Sequence, residues 1–199
     1  MNEARESVSQ LSCEIVLIGL RGSGKSTVGR ALALHCHCVF VDLDELVIAE
    51  FAETNVRDIW DRHGEEAWRR EEERLAVRTL TNRQTNMVLA LGGGSAMIRN
   101  VRESLEGLQR ENLVRVVYLR GEPKILLERL MNKEGDRPRL TDEDDLLGEI
   151  QKVYDDRDGV YNELADIVIE VQPEAVDETV ERITAGLASL FSSRKNEED

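Results

Sequence analysis

The sequence predicts an α/β protein in which helices cover both faces of a five-stranded parallel sheet, giving three layers in the order α/β/α. Two observations predict this class: five short apolar runs rich in β-branched residues, and helical patterns that separate consecutive runs. Uninterrupted apolar runs are typical of parallel strands that are buried on both faces. The length of 199 residues suits one such domain.

The strands and helices alternate along the chain. The predicted strands are 14–19, 39–42, 87–91, 114–119 and 167–171. The predicted helices are 25–34, 44–51, 56–81 with a break near Gly64, 101–109, 123–131, 144–161 and 175–190. Because β-α-β crossovers are right-handed, this order predicts a parallel sheet with helices on both sides.

The chain divides into one domain and two tails. We expect a flexible N-terminus over residues 1–13, the domain over 14–191 and a flexible polar tail over 192–199. A polar stretch with charges of both signs, interrupted by Gly135 and Pro138, predicts a mobile loop at about 132–143. No apolar run approaches the about 20 residues of a spanning helix, and the start of the chain has no apolar signal segment. We therefore expect a cytoplasmic protein.

The net charge of the chain limits the kinds of molecule that it is expected to bind. Asp and Glu total 40 against 26 Lys and Arg, so the formal net charge is −14. A surface of this sign repels nucleic-acid phosphates and anionic lipid headgroups. We expect neither a nucleic-acid nor a membrane partner, and we expect a monomer.

The strongest chemical signal follows the first predicted strand. Residues Gly19-Leu20-Arg21-Gly22-Ser23-Gly24-Lys25-Ser26 fit the phosphate-binding pattern G-x-x-x-x-G-K-[ST]. Glycines let backbone N–H groups turn toward phosphate oxygens, and the next helix adds positive potential at its N-terminus. In this pattern Lys25 reaches the β- and γ-phosphates and Ser26 holds Mg²⁺. The predicted nucleotide contacts are Gly22, Ser23, Gly24, Lys25, Ser26 and Thr27.

The rest of the chain favours a small-molecule kinase over other P-loop proteins. Residues 61–64 fit the GTPase pattern D-x-x-G, but they lie between two helical stretches instead of at a strand end. The third predicted strand runs into Gly92-Gly93-Gly94, where an ATPase motor needs a carboxylate.

Two carboxylates follow the second predicted strand. Residues two apart on a strand point to the same side, so Asp42 and Asp44 are expected to emerge together at the carboxyl edge of the sheet. One carboxylate near a metal and one near the acceptor hydroxyl would suit phosphoryl transfer. The alternative is that Asp44 only caps the next helix.

Several stretches, in this order, resemble the shikimate kinase family. Asp42-Leu43-Asp44 matches its Asp-x-Asp pair, and residues 64–72 match G-E-x-x-[FW]-R-x-x-E. Gly92-Gly93-Gly94 matches its glycine triplet, Arg137-Pro138 the start of its lid, and Arg157 the Arg before Pro-Leu-Tyr. The resemblance implies a P-loop kinase fold with a mobile lid, and transfer of the ATP γ-phosphoryl group to the 3-hydroxyl of shikimate with Mg²⁺.

The resemblance implies roles on the acceptor side. Asp42 would lie near Mg²⁺ through water, and Asp44 would bind the acceptor hydroxyls and take the proton. Arg69 and Arg157 would bind the acceptor carboxylate, for which the planar guanidinium fork is suited. The backbone of Gly92, Gly93 and Gly94 would contact the acceptor ring.

It also implies roles on the nucleotide side. Arg137 would close with the lid onto the transferring phosphoryl group, together with Lys25, and Arg129 would stack on adenine. Trp60 and Trp68 are equally consistent with a pocket wall and with the core.

Alternatives remain for both arginines of the acceptor site. Arg69 would also fit a solvated helix face, where it would pair with Glu65 or Glu73 at i,i+4 spacing. Glu72 is spaced at i,i+3 to form a supporting hydrogen bond to Arg69. Arg157 would also fit a surface ion pair with its neighbouring aspartates.

Two departures from the family pattern leave the acceptor open. Arg139 stands where the lid has its first Leu, and Gly159-Val160 replaces Pro-Leu. The other functions considered are a P-loop kinase of another small polyol acid, such as gluconate, and a non-catalytic nucleotide-binding relative.

Overall fold

A computed structural model describes residues 14–82, 86–131, 146–172 and 175–195. Its strands are β1 (Glu14–Ile18), β2 (Val39–Asp42), β3 (Met87–Ala90), β4 (Val114–Arg120) and β5 (Ile167–Glu170). Its helices are α1 (Lys25–Cys36), α2 (Leu43–Ala49), α3 (Val56–Thr81), α4 (Arg99–Arg110), α5 (Pro123–Met131), α6 (Leu146–Leu164) and α7 (Val176–Lys195). A short 3-10 turn, Ser95–Met97, follows β3.

The five strands form one parallel sheet in the order β2-β3-β1-β4-β5. Side chains alternate between its two faces. Ile15 and Leu17 pack with α1 and α7, whereas Val16 and Ile18 pack with the helices of the opposite layer. The predicted three-layer α/β/α class is therefore confirmed.

The strand order brings three chain segments to one edge of the sheet. In the register of the sheet, Ala90 lies opposite Leu17 on one side and Asp42 on the other. The loops that leave β1, β2 and β3 consequently emerge next to one another. The carboxyl edge is where open α/β sheets bind their ligands.

Some element boundaries differ from the prediction. The break in α3 is confirmed, since Gly64 has a φ of 81° and leaves the helical conformation. Helix α7 continues to Lys195, into the segment that the sequence assigns to the tail. Extending an existing helix by a turn costs little compared with starting one, so composition alone defines such an end poorly.

No helix in the described parts of the chain is both long enough and apolar enough to cross a bilayer.

Candidate active site

The phosphate loop lies between β1 and α1. Gly19, Gly22 and Gly24 have φ values of 146°, 85° and 95°, which side chains other than glycine rarely adopt. The Lys25 ammonium donates to the carbonyl oxygens of Gly19 at 2.8 Å and Leu20 at 3.0 Å. Lys25 thus folds back onto the loop, where its ammonium is bound by two backbone carbonyl oxygens.

The first turn of α1 is open to a ligand. Ser26 and Thr27 are exposed there, and the backbone N–H groups of a first helical turn have no partner within the helix. The 12-residue helix also places the positive end of its dipole at the loop. The loop therefore presents backbone N–H groups that suit an anion, and the nucleotide contacts given to residues 22–27 stay predictions.

Arg129 of α5 lies against the phosphate loop. Its Nη1 donates to the carbonyl oxygen of Ser23 at 3.2 Å, and its Nη2 donates to that of Gln172, just after β5, at 2.8 Å. Arg129 therefore links the loop to the segment after β5. Its stacking on adenine stays a prediction.

Asp42 and Asp44 do not share a strand. β2 ends at Asp42, and Asp44 already lies in the first turn of α2. Asp42 is the residue that caps the helix, because its Oδ1 accepts the backbone N–H of Asp44 at 3.0 Å. The premise of strand alternation was therefore wrong, and the capping role considered for Asp44 belongs to Asp42.

Asp44 still reaches the edge of the sheet where the glycine triplet begins. A Cβ built on Gly92 would lie 3.0 Å from Asp44 Oδ1 and 2.7 Å from Ser95 Oγ, and it would overlap Glu72 Oε1. Only a residue without a side chain lets these three groups approach the backbone so closely. The tight turn into α2, not the pleat of β2, carries the Asp44 carboxylate there.

The two arginines of the predicted acceptor site converge. A Cβ built on Gly94 would lie 3.1 Å from Arg69 Nη1 and 3.3 Å from Arg157 Nη1. Arg157 Nη1 donates to the carbonyl oxygen of Gly93 at 2.6 Å. Both guanidinium groups therefore meet at the glycine triplet, although 88 positions separate them in the sequence (157 minus 69).

A buried carboxylate fixes Arg69. Glu72 is 1% exposed; its Oε2 accepts from Arg69 Nη1 at 2.7 Å and its Oε1 from Ser95 Oγ at 2.6 Å. Glu65 adds a more exposed ion pair with Arg69 at 3.1 Å. Burial opposes the charge of the Arg69 guanidinium, but Glu72 and Glu65 outweigh it and raise its pKa.

These contacts show that Arg69 has both of the expected carboxylate neighbours, while its binding of an acceptor stays a prediction. The supporting role predicted for Glu72 is confirmed, and the expected pairing with Glu65 also exists. The pairing does not remove Arg69 from the site, because Arg69 also lines a pocket beside the glycine triplet.

The pocket adjoins the phosphate loop. Its polar lining includes Arg69 and Arg157, its apolar walls include Trp60 and Trp68, and Leu20 of the phosphate loop borders it. Trp68 is also part of the core, and the Arg69 guanidinium lies 5.8 Å from the ring of Trp60. An acidic molecule bound between the arginines would thus lie next to a phosphate bound by the loop.

Sequence reasoning missed several residues of this region, among them Ser95, Tyr161 and Glu149. Ser95 holds Glu72, and the Tyr161 hydroxyl donates to the carbonyl oxygen of Gly93 at 2.7 Å. Burial raises the pKa of Tyr161 to about 12, so it stays neutral and keeps this donor proton. Glu149, 4% exposed, also lines the pocket. The available signals were a serine directly after the triplet and a tyrosine one helical turn beyond Arg157.

Arg137, Arg139 and the predicted lid lie outside the described residues. The roles given to them stay predictions.

A parallel sheet with a phosphate loop and an arginine-lined pocket at the same edge defines the class of P-loop small-molecule kinases. The model of the shikimate kinase family matches residues 21–188. A shikimate kinase of Thiobacillus denitrificans is 37% identical over 162 residues, which are 81% of this chain and 83% of that relative. The chain belongs to the shikimate kinase family.

Solved structures agree with this assignment. The shikimate kinase from Acinetobacter baumannii, solved in complex with shikimate, superposes with a TM-score of 0.79 at 26% identity, over 95% of this chain and 98% of that one. A gluconokinase from Sinorhizobium meliloti covers 95% of this chain and 99% of its own, with a TM-score of 0.55 at 23% identity. The second likeness shows a common fold only.

Proposed function

We propose that this protein transfers the γ-phosphoryl group of ATP to the 3-hydroxyl of shikimate. Membership of the shikimate kinase family makes the chain an ATP-dependent phosphotransferase with an alcohol acceptor. The observation that carries an acidic acceptor is the convergence of Arg69 and Arg157 on Gly94, in a pocket that borders the phosphate loop. Membership of the shikimate kinase family favours shikimate among such acids.

The phosphate loop would hold ATP through its backbone N–H groups. The Lys25 ammonium would leave the carbonyl oxygens of Gly19 and Leu20 and move onto the β- and γ-phosphates, where it offsets negative charge as the phosphoryl group moves. Arg137 would add a second positive charge from the lid. Arg129, which already contacts the loop, would flank the adenine.

The donors at this edge fit Mg²⁺. Ser26 offers a hydroxyl at the start of α1, and Asp42 offers a carboxylate at the end of β2. Magnesium in kinases prefers few protein oxygens together with water and phosphate oxygens. Bound Mg²⁺ would neutralise phosphate charge.

The pocket would orient the acceptor. Arg69 and Arg157 would bind the carboxylate of shikimate in bidentate fashion, while the backbone at Gly92, Gly93 and Gly94 approaches the ring. Asp44 would accept the proton of the 3-hydroxyl as its oxygen forms a bond to the γ-phosphorus. The bond from that phosphorus to the oxygen bridging to ADP breaks in the same transfer.

We also propose an oligomeric state, a cellular location and a range of partners for the enzyme. We propose a monomer, in which the two arginines and the phosphate loop of one chain form the whole site. Its phosphoryl donor, ATP, supports a cytoplasmic place of action. The net charge of −14 disfavours nucleic-acid and membrane partners.

The test is a coupled ADP-release assay with a panel of acceptors. Shikimate should give turnover with ATP and Mg²⁺, whereas gluconate and a no-acceptor control should give at most a few per cent of that rate. Faster turnover with gluconate than with shikimate would make gluconate the acceptor. ATP binding without turnover of any acid would indicate a non-catalytic relative.

A further inference from the structure

A polar cluster joins the end of β4 to α6 outside the pocket. Arg120, the last residue of β4, forms a bidentate ion pair with Asp158 of α6: Nε to Oδ1 is 2.8 Å and Nη2 to Oδ2 is 2.7 Å. Side chains of Arg120 and Asp158 are 32% and 17% exposed. A partly buried fork of this kind holds its geometry better than a single-contact surface pair does.

Neighbouring side chains complete the cluster. The Tyr118 hydroxyl donates to Asp158 Oδ1 at 2.9 Å, and Arg120 Nε also donates to the Tyr154 hydroxyl at 3.0 Å. Arg120 Nη1 lies 3.2 Å from Glu170 of β5. Asp158 therefore receives hydrogen bonds from two residues of β4, a strand at the interior of the sheet.

The same helical turn carries the proposed acceptor ligand. Arg157 directly precedes Asp158, and both Arg157 and Tyr161 donate to the carbonyl oxygen of Gly93. This turn of α6 is thus fastened on one side to β4 by Asp158 and on the other to the glycine triplet. Consecutive helical residues point about 100° apart, so one turn can serve both contacts.

Arg120 and Asp158 do not act by touching the acceptor. Neither is among the described residues that line the pocket, whereas Arg157 is. Any effect of the pair on the acceptor must therefore pass through the position of α6.

We propose that the Arg120–Asp158 pair positions Arg157 for the carboxylate of the acceptor. The pair fixes the height and rotation of the α6 turn on β4, and the Arg157 guanidinium then meets Arg69 at Gly94. This inference rests on the proposed function in one respect: the acceptor must be a carboxylic acid held by Arg157. A displaced Arg157 guanidinium would make weaker hydrogen bonds to that carboxylate, because the strength of such bonds depends steeply on distance and angle.

The main test is Asp158→Asn, which keeps the shape of the side chain but removes the charge and one acceptor oxygen. The KM for shikimate should rise about tenfold, as for the loss of one hydrogen bond between charged groups, while the KM for ATP and the kcat at saturating shikimate change less than about twofold. Asp156→Asn is the matched control, because Asp156 is exposed on the same helix, and its KM for shikimate should stay near that of the wild type.

A second variant covers a failure of the first to fold. Arg120→Lys keeps the positive charge but loses the fork, and it should raise the KM for shikimate by a smaller factor than Asp158→Asn. A third measurement excludes a merely structural role. Replacing the carboxylate of shikimate with an amide should weaken binding to the wild type. The same replacement should weaken binding to Asp158→Asn by a smaller factor.

The outcomes separate this inference from the proposed function. An unchanged KM for shikimate in folded variants, or an equal rise in the KM for ATP, would overturn the positioning role. If the wild type phosphorylates shikimate in the same experiment, the proposed function survives that result. If the wild type has no activity on shikimate, the proposed function fails first, and the positioning role fails with it.

Discussion

The phosphate loop and the acceptor pocket share one edge of the sheet, but they are built differently. The loop comes from one continuous stretch, residues 19–26, and its Lys25 bonds to the loop itself. The pocket combines α3, the turn after β3, and α6; its Arg157 bonds to Gly93 across 64 positions. A local motif therefore suffices for the first site, whereas the second depends on the packing of distant helices.

The two sites also differ in what holds their charges. The loop presents backbone N–H groups, whose direction is set by local dihedral angles. The pocket presents the guanidinium groups of Arg69 and Arg157 on long side chains, which need partners to hold one geometry. Glu72 and Ser95 serve Arg69, and the carbonyl oxygen of Gly93 serves Arg157. The acceptor site should therefore be sensitive to residues that never touch the ligand.

The largest expected effect lies where the two sites meet. Asp44→Asn should lower kcat by about 10² to 10⁴, because an amide cannot accept the hydroxyl proton. The Kd for ATP should stay within about twofold. Glu45→Gln is the control, since Glu45 is the exposed carboxylate next in α2. ADP release at saturating shikimate measures the first effect and ATP titration the second. An unchanged kcat in Asp44→Asn would show that Asp44 is not the base in phosphoryl transfer.

In the phosphate loop, Lys25→Ala should lower kcat by about 10² to 10³ through the loss of one preorganised charge. Far-UV circular dichroism should remain that of the wild type, because the loop conformation is set by its glycines. Lys124→Ala removes an exposed lysine of α5 and should leave kcat nearly unchanged. A Lys25→Ala enzyme that keeps more than about a tenth of the wild-type rate would contradict the role of Lys25.

In the pocket, Arg69→Lys should raise the KM for shikimate by about tenfold or more and leave the KM for ATP nearly unchanged. Lysine keeps the charge but loses the fork, and each hydrogen bond to a charged group contributes about 1.5 to 3 kcal/mol. The neighbouring exposed Arg70 gives the control, Arg70→Lys. If the wild type bound shikimate and its amide analogue with equal affinity, the carboxylate would not contribute to binding, and the role of Arg69 would be contradicted.

The smallest effect concerns stability. A Cβ on Gly159 of α6 would have no neighbour within 4 Å, so Gly159→Ala should raise Tm by about 1 to 4 °C through the helix propensity of alanine. Gly29→Ala in α1 is the opposite case, since a Cβ there would overlap the ring of Phe40, and it should lower Tm. Thermal unfolding by circular dichroism measures both. A lower Tm in Gly159→Ala would show that this turn of α6 is not a regular helix.

The sequence by itself determined the sheet, the alternation of elements and the phosphate loop. Uninterrupted β-branched runs require burial on both faces, and residues 19–26 carry their own turn chemistry in the glycines. It also indicated the break at Gly64 and the spacing of Arg69 with Glu72, because helical contacts at i,i+3 are local.

Only the tertiary structure decided how the acceptor pocket is assembled. Asp44 reaches the site from the first turn of α2, since β2 ends at Asp42, two residues short of the position that strand alternation required. Ser95 and Tyr161 bind their partners across 23 and 68 positions, and the Arg120–Asp158 pair spans 38. No local pattern encodes such contacts, because they exist only when the sheet has set the distance between the helices.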